Sequence, residues 1–214
     1  MGSAGSKAVG GRSRTRSIAR VAMTIALLSV SAWVAIPLGP VPFTLQTFVL
    51  AFALLVLRPS ECLAALAGYL ALGAVGAPMF SGMRGGIGML AGATGGFLWG
   101  FLLGAVAALA LLRVLPGNAS ARPSGNADDA RKGRARRHRV LGSLRDFAAC
   151  LAFLAISYAC GWIQLMAVAG MGPVPAFLAA IAPFIVPDLA KLAVAVGVAQ
   201  AVRRAVPSLR RARA

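Results

Sequence analysis

Three charged residues stand apart from the zones where the other charges gather: Arg84, Asp188 and Lys191. Each lies inside or beside a long apolar stretch. Placing an ion in the hydrocarbon core costs about 2.5–3.5 kcal/mol even on the most lenient insertion scale, so an intramembrane ionisable residue marks function by default. Asp188 and Lys191 are three residues apart, which puts them on one helical face. The plain alternative is a salt bridge that only neutralises itself. Such a pair would not call for Arg84 on the same side. Together the three offer two cationic donors and one anionic acceptor, which suit a small ligand with a carboxylate at one end and N–H donors at the other. Thr44, Gln46 and Thr47 add neutral hydrogen-bonding groups. Residues of this kind more often bond only to a neighbouring helix.

These side chains must be positioned by apolar elements. The apolar runs cover 21–38, 42–57, 62–80, 92–112, 147–169 and 184–202. A membrane-spanning helix needs about 20 apolar residues. The runs are too long for strands and lack the alternation of an outer-membrane barrel. The expected fold is therefore all-α: a polytopic membrane protein with six transmembrane helices. The first run continues through Trp33 to Leu38 with no small-x-small cleavage site, so it reads as a true span and not a signal peptide.

Charge gives the orientation. Apolar residues make up 59% of the 214 and charged residues 13%, yet the net charge is +17, with 22 Lys and Arg against 5 Asp and Glu. Nineteen of the 22 bases fall in three clusters, within 1–20, 113–146 and 203–214. Bases gather on the cytoplasmic side of membrane proteins. Four spans before the central cluster and two after it put all three clusters, and both termini, inside. Arg58 and Glu61 then fall in a cytoplasmic turn, and Arg84 in an outer loop. Lys191 is twelve residues before Arg203, about 18 Å along a helix, hence in the outer part of the membrane.

The expected organisation is a basic disordered tail over 1–20, a six-helix substrate-binding domain over 21–202 interrupted by a basic cytoplasmic loop over 113–146, and a basic tail over 203–214. The central cluster competes as a nucleic-acid or lipid-headgroup site. Its surroundings hold Gly, Pro, Ser and Asn with no aromatic to stack on a base, so it reads as a topology signal and no nucleic-acid partner is expected. His138, within it, reads as a solvated bystander.

Gly92, Gly96, Gly100 and Gly104 recur every four residues, which lets a neighbouring backbone approach closely; packing within the chain is the expected use. Ala22 and Ala26 form a weaker small-xxx-small pair. Gly39-Pro40-Val41-Pro42 is echoed by Gly172-Pro173-Val174-Pro175, both as stiff outer connections. Cys62, Cys150 and Cys160 have no metal-ligand spacing and read as packing residues. There is no Gly-x-x-x-x-Gly-Lys-Ser/Thr loop, HExxH or Gly-x-Ser-x-Gly motif. With five acids in all, paired-carboxylate catalysis is not expected either. The composition points to substrate capture without chemistry: no enzyme, no metal, no cofactor.

Gly39-Pro40-Val41-Pro42-Phe43-Thr44-Leu45-Gln46-Thr47, Ala67-Gly68-Tyr69-Leu70, Gly85-Gly86, Thr94-Gly95-Gly96-Phe97, and Pro183-Phe184 through Asp188 and Lys191 stand in an order and spacing that resemble the BioY family. These are the biotin-binding S components of energy-coupling factor (ECF) transporters. The resemblance covers about residues 20–202, without the basic loop and tails. It implies a multi-pass protein of the bacterial plasma membrane with an outward pocket for biotin. Its implied partners are a transmembrane coupling protein and two ATP-binding subunits that consume the ATP. By the same resemblance Lys191 and Arg84 would take the valerate carboxylate and Asp188 the ureido N–H groups, with Thr44, Gln46 and Tyr69 in the ligand-binding set. Ala22 and Ala26 match the motif by which S components dock their coupling protein. Ala93 departs from the usual Pro before Thr-Gly-Gly, which touches only the start of the fourth helix. The alternatives are an S component for another vitamin, or a membrane enzyme or scaffold built on the Asp188–Lys191 pair.

Overall fold

The computed structural model describes residues 4–37, 39–115 and 128–206, with side chains from Arg14 onward and, in the last segment, from Val140 onward. The chain runs α1 (Ala4–Trp33), β1 (Ala35–Pro37), β2 (Pro42–Thr44), α2 (Gln46–Val56), α3 (Pro59–Ala74), α4 (Ile87–Ala91), α5 (Gly95–Val114), α6 (Asp128–Ala169), α7 (Pro173–Ala180) and α8 (Ile185–Ala205). Three of these helices are long and apolar enough to cross a membrane: Gly95–Val114, Val140–Ala169 and Ile185–Ala205. Helix α2 is 11 residues long and α3 is 16, and α1 is apolar only in its second half.

The expected first span runs on to Leu38, but α1 ends at Trp33. Pro37, Pro40 and Pro42 lack the N–H that a helix interior requires. The chain instead turns back as a two-stranded antiparallel hairpin with Ala35 opposite Thr44 and Pro37 opposite Pro42. The all-α expectation therefore misses one small sheet. At the second Gly-Pro-Val-Pro the same residues start a helix: Gly172 is extended, Pro173 takes the first helical position, and α7 follows. Both segments meet in one apolar cluster, where Val41 packs with Leu165, Ala176, Ala180, Ile181 and Phe184.

Two stretches read as a disordered tail and a loop are helical where described. Helix α1 begins at Ala4, inside the expected tail over 1–20, and α6 begins at Asp128, inside the expected loop over 113–146. Arg, Lys and Ala are good helix formers, and no proline interrupts 4–20 or 128–146. Residues 116–127 of the loop and 207–214 of the last tail lie outside the described residues, as does the side chain of His138.

Helices α5 and α6 form the closest pair. A Cβ at Gly100 would lie 2.7 Å from the Ser157 Cα, and one at Gly104 2.6 Å from the Phe153 carbonyl oxygen. Gly96 meets the Cys160 carbonyl in the same way. The four-residue glycine spacing therefore serves packing within the chain. Gly92 is the exception, because it precedes α5. Cys62 and Cys150 are buried in the main core, beside Leu66 and Phe153.

Three ion pairs account for the acids with described side chains. Glu61 pairs with Arg20 at 2.8 Å and accepts the Ser17 hydroxyl at 2.7 Å, joining α1 to the start of α3. Asp146 pairs with Arg203, joining α6 to the end of α8. Both pairs lie at one end of the bundle. The third, Asp188–Lys191, lies at the opposite end, because α8 carries Lys191 and Arg203 about 18 Å apart.

Candidate functional site

At that opposite end a pocket opens among the hairpin, the 75–86 loop, and helices α2, α5, α6, α7 and α8. It encloses about 700 Å³ of space, including open solvent at its mouth, and its wall is mostly apolar. Phe43, Phe80, Phe97, Phe101 and Phe184 supply aromatic surface, with Phe43 and Phe184 stacked at 6.2 Å. The polar lining groups are Thr44, Gln46, Thr47, Ser81, Thr94, Ser157, Tyr158, Asp188 and Lys191.

Local sequence explains how these groups are held. Pro187 sits within the first turn of α8, where its missing N–H breaks no helical bond. Asp188, one residue later, falls in the same turn, where a carboxylate is favoured by the helix dipole. Lys191 follows on the same face. Its Nζ lies 2.8 Å from Asp188 Oδ1 and donates to the Thr44 carbonyl at 2.6 Å. It also stands 3.6 Å over the Phe43 ring, a cation–π contact. Asp188 is held from two further helices: Thr47 on α2 donates to Oδ1 at 3.0 Å, and Tyr158 on α6 donates to Oδ2 at 2.7 Å. The Asp188 and Lys191 side chains are 6% and 11% exposed, so this is a buried ion pair with hydrogen-bond partners. Removing one partner of such a pair costs far more than the pair contributes in net stability.

The structure brings Thr44, Gln46, Asp188 and Lys191 together at the pocket wall, with Thr47 beside them. The salt bridge and the pocket are both present. Tyr69 is placed differently. It is fully buried behind the wall, accepts a hydrogen bond from Gln46 Nε2 at 2.7 Å and donates to the Met79 carbonyl at 2.9 Å. It positions Gln46 and does not line the pocket.

Arg84 is exposed in the 75–86 loop and does not line the pocket either; its carbonyl accepts the Phe80 N–H at 2.8 Å. That contact folds the loop so that Phe80 and Ser81 reach the wall. The tight path needs left-handed backbone at Gly76, Gly82 and Gly86, and also at Met83 (φ 57°). Phe80 lies against Gly73 of α3, where any larger residue would collide with its ring.

Ala22 and Ala26 lie far from the pocket on an exposed face of α1, in line with Ile18 and Val30. Two pocket groups were not singled out from the sequence, Tyr158 and Ser157. The available signal was a tyrosine within an apolar span, one turn from Leu154 and Gly161 on the face turned toward α5.

Comparison with known proteins follows the same direction. A family model described as the BioY family matches residues 5–208. The biotin transporter BioY of Thermotoga maritima is 47% identical over 90 residues, 42% of this chain and 53% of that protein. The probable biotin transporter BioY of Pyrococcus horikoshii is 33% identical over 187 residues, 87% of this chain and 96% of that protein. Among solved structures, the S-component for biotin from an ECF-type ABC transporter superposes with a TM-score of 0.72, covering 90% of this chain and 93% of that one. At 18% identity this last likeness concerns the fold. The family match over nearly the whole sequence, with the Pyrococcus relative aligned almost end to end, places this chain in the BioY family.

Proposed function

We propose that this protein is the membrane-embedded substrate-capture subunit of an ECF-type transporter and that its substrate is biotin. The relatives named above are biotin transporters. The observation that carries the reading is the buried Asp188–Lys191 pair facing a mostly apolar pocket. An apolar wall suits the thioether ring and alkyl chain of biotin. Asp188 supplies an acceptor for a ureido N–H, and Lys191, 2.8 Å from it, a donor for the ureido carbonyl at the same end of the ligand, in place of the carboxylate role that the resemblance implied. Gln46 and Thr44 add neutral contacts. Arg84, exposed on a glycine-rich loop whose neighbours line the pocket, supplies the cation for the carboxylate when the loop meets the ligand. ATP hydrolysis belongs to partners: a transmembrane coupling protein, docked through the Ala22 and Ala26 face of α1, and two ATP-binding subunits. The membrane reading is six spans, α1, α2, α3, α5, α6 and α8, with both termini cytoplasmic and the pocket facing outward in the cell membrane.

Mass spectrometry of small molecules retained by the purified protein, followed by calorimetry with biotin, tests this. Retention of biotin and tight stoichiometric binding are expected. Lys191→Ala should weaken binding at least about tenfold, the effect of losing a charged hydrogen bond of roughly 1.5–3 kcal/mol. Unchanged affinity would remove Lys191 from the site, and retention of a different vitamin would replace the substrate.

A further inference from the structure

We infer that Tyr158 is a positioning residue for Asp188, leaving that carboxylate a single open acceptor position, so that the pocket selects a ligand presenting one neutral donor there, such as a urea-type N–H. This rests on the biotin pocket proposed above.

A carboxylate has about four lone-pair positions. Asp188 Oδ1 fills two, accepting from Thr47 Oγ1 at 3.0 Å and Lys191 Nζ at 2.8 Å. Oδ2 fills one, accepting from Tyr158 at 2.7 Å. One position remains, on Oδ2, and it lies beside the Tyr158 oxygen. The hydroxyl proton of Tyr158 is committed to Asp188, so that oxygen offers the pocket only lone pairs. Oδ2 and Tyr158 Oη therefore form a small acceptor-only patch.

A carbonyl or carboxylate oxygen arriving there would meet lone pairs. A protonated amine would bring three donors to a patch that already has Lys191 beside it. A planar N–H with no competing charge fits. Geometry is fixed on the Tyr158 side as well as the Asp188 side. The Tyr158 ring meets the edge of Phe97 at 6.5 Å and 84°, and Phe97 lies against Gly161, one turn from Tyr158 on α6, where a Cβ would collide with it. With the hydroxyl held at a set height, Oδ2 cannot swing toward a second donor.

The decisive measurement is a ratio of affinities. Purified wild-type protein is titrated with biotin and with the two biotins methylated at one or other ureido nitrogen. The analogue that blocks the N–H facing Oδ2 should bind at least about tenfold more weakly than biotin. In Tyr158→Phe, Oδ2 loses its anchor and gains a second open position, so that ratio should fall to within about threefold. A role in packing alone would weaken biotin and both analogues by a common factor, leave the ratio unmoved, and overturn the inference.

Thr47→Val is the control. It removes a donor to Oδ1 but leaves Tyr158 and Oδ2 intact, so affinity should drop while the ratio holds; a collapsed ratio would overturn the assignment to Tyr158. Where Tyr158→Phe is not recovered folded, Phe97→Leu removes the ring edge that steadies Tyr158 and should lower the ratio in the same direction, and an unmoved ratio would count against the inference. Failure of the wild type to bind biotin would instead overturn the reading on which the inference stands.

Discussion

Tyr69, buried behind the pocket wall, acts on the pocket through the residues it holds. Its hydroxyl links Gln46 to the Met79 carbonyl, and so joins the start of α2 to the loop that delivers Phe80. Tyr69→Phe should leave both partners buried and half satisfied, which costs about 1–3 kcal/mol of stability. Thermal unfolding in detergent should show it as a lower Tm, with a smaller loss of biotin affinity than Lys191→Ala causes. An affinity loss equal to that of Lys191→Ala would put Tyr69 at the ligand. Asp188 and Lys191 were legible in the sequence because a charge in an apolar run has few physical justifications. Tyr158 was not, because a tyrosine in a span serves equally well as core or interfacial anchor. Its role appears only when α6 and α8 are brought together across thirty residues of sequence.

Among the elements, the long apolar runs were readable and their interruptions were not. Apolarity says that a segment avoids water; it does not say where backbone hydrogen bonds stop being helical. The hairpin ending the first run and the break at 92–94 before α5 both follow from Pro and Gly inside otherwise uniform stretches. Identical Gly-Pro-Val-Pro residues yield a strand in one place and a helix start in the other, because their partners differ: Thr44 and Phe43 across a hairpin, Leu165 and Phe184 around a helix. Glycine separates packing from propensity in the same way. Gly100 touches the α6 backbone, so Gly100→Val should force α5 and α6 apart; loss of folded protein in detergent size-exclusion profiles is expected. Gly197, in the interior of α8, has nothing within 4 Å of the point where a Cβ would stand. Gly197→Ala should therefore stabilise by about 0.5–1 kcal/mol and raise Tm, through helix propensity alone. Opposite signs at two helical glycines would tie the α5 spacing to close approach.

On the scale of the whole molecule, the charges divide the bundle into two ends with different work. At one end Arg20–Glu61 and Asp146–Arg203 tie α1 to α3 and α6 to α8; at the other, the remaining described pair lines the pocket. Helix α1 reaches both. Near its basic half it holds Glu61, and at its far end Trp33 donates to the Pro78 carbonyl at 2.7 Å while Ser29 donates to Met79 Sδ at 2.8 Å. The loop so held is the one that places Phe80 and Ser81 at the pocket. Between these ties, the face carrying Ile18, Ala22, Ala26 and Val30 stays exposed among the described residues. In a membrane an apolar face gains nothing by leaving lipid, so a close partner helix needs small residues that allow backbone approach. Ala22→Leu with Ala26→Leu should fill that groove without disturbing the pocket. Biotin affinity of the isolated protein should be unchanged, whereas ATP-dependent biotin uptake, measured in cells that also express the coupling and ATP-binding subunits, should fall at least about tenfold. That factor corresponds to roughly 1.4 kcal/mol of lost docking energy, a modest demand on two buried helix contacts. Uptake that survives both substitutions would move the docking surface elsewhere, and affinity lost together with uptake would make α1 part of the pocket's support and not a separate face.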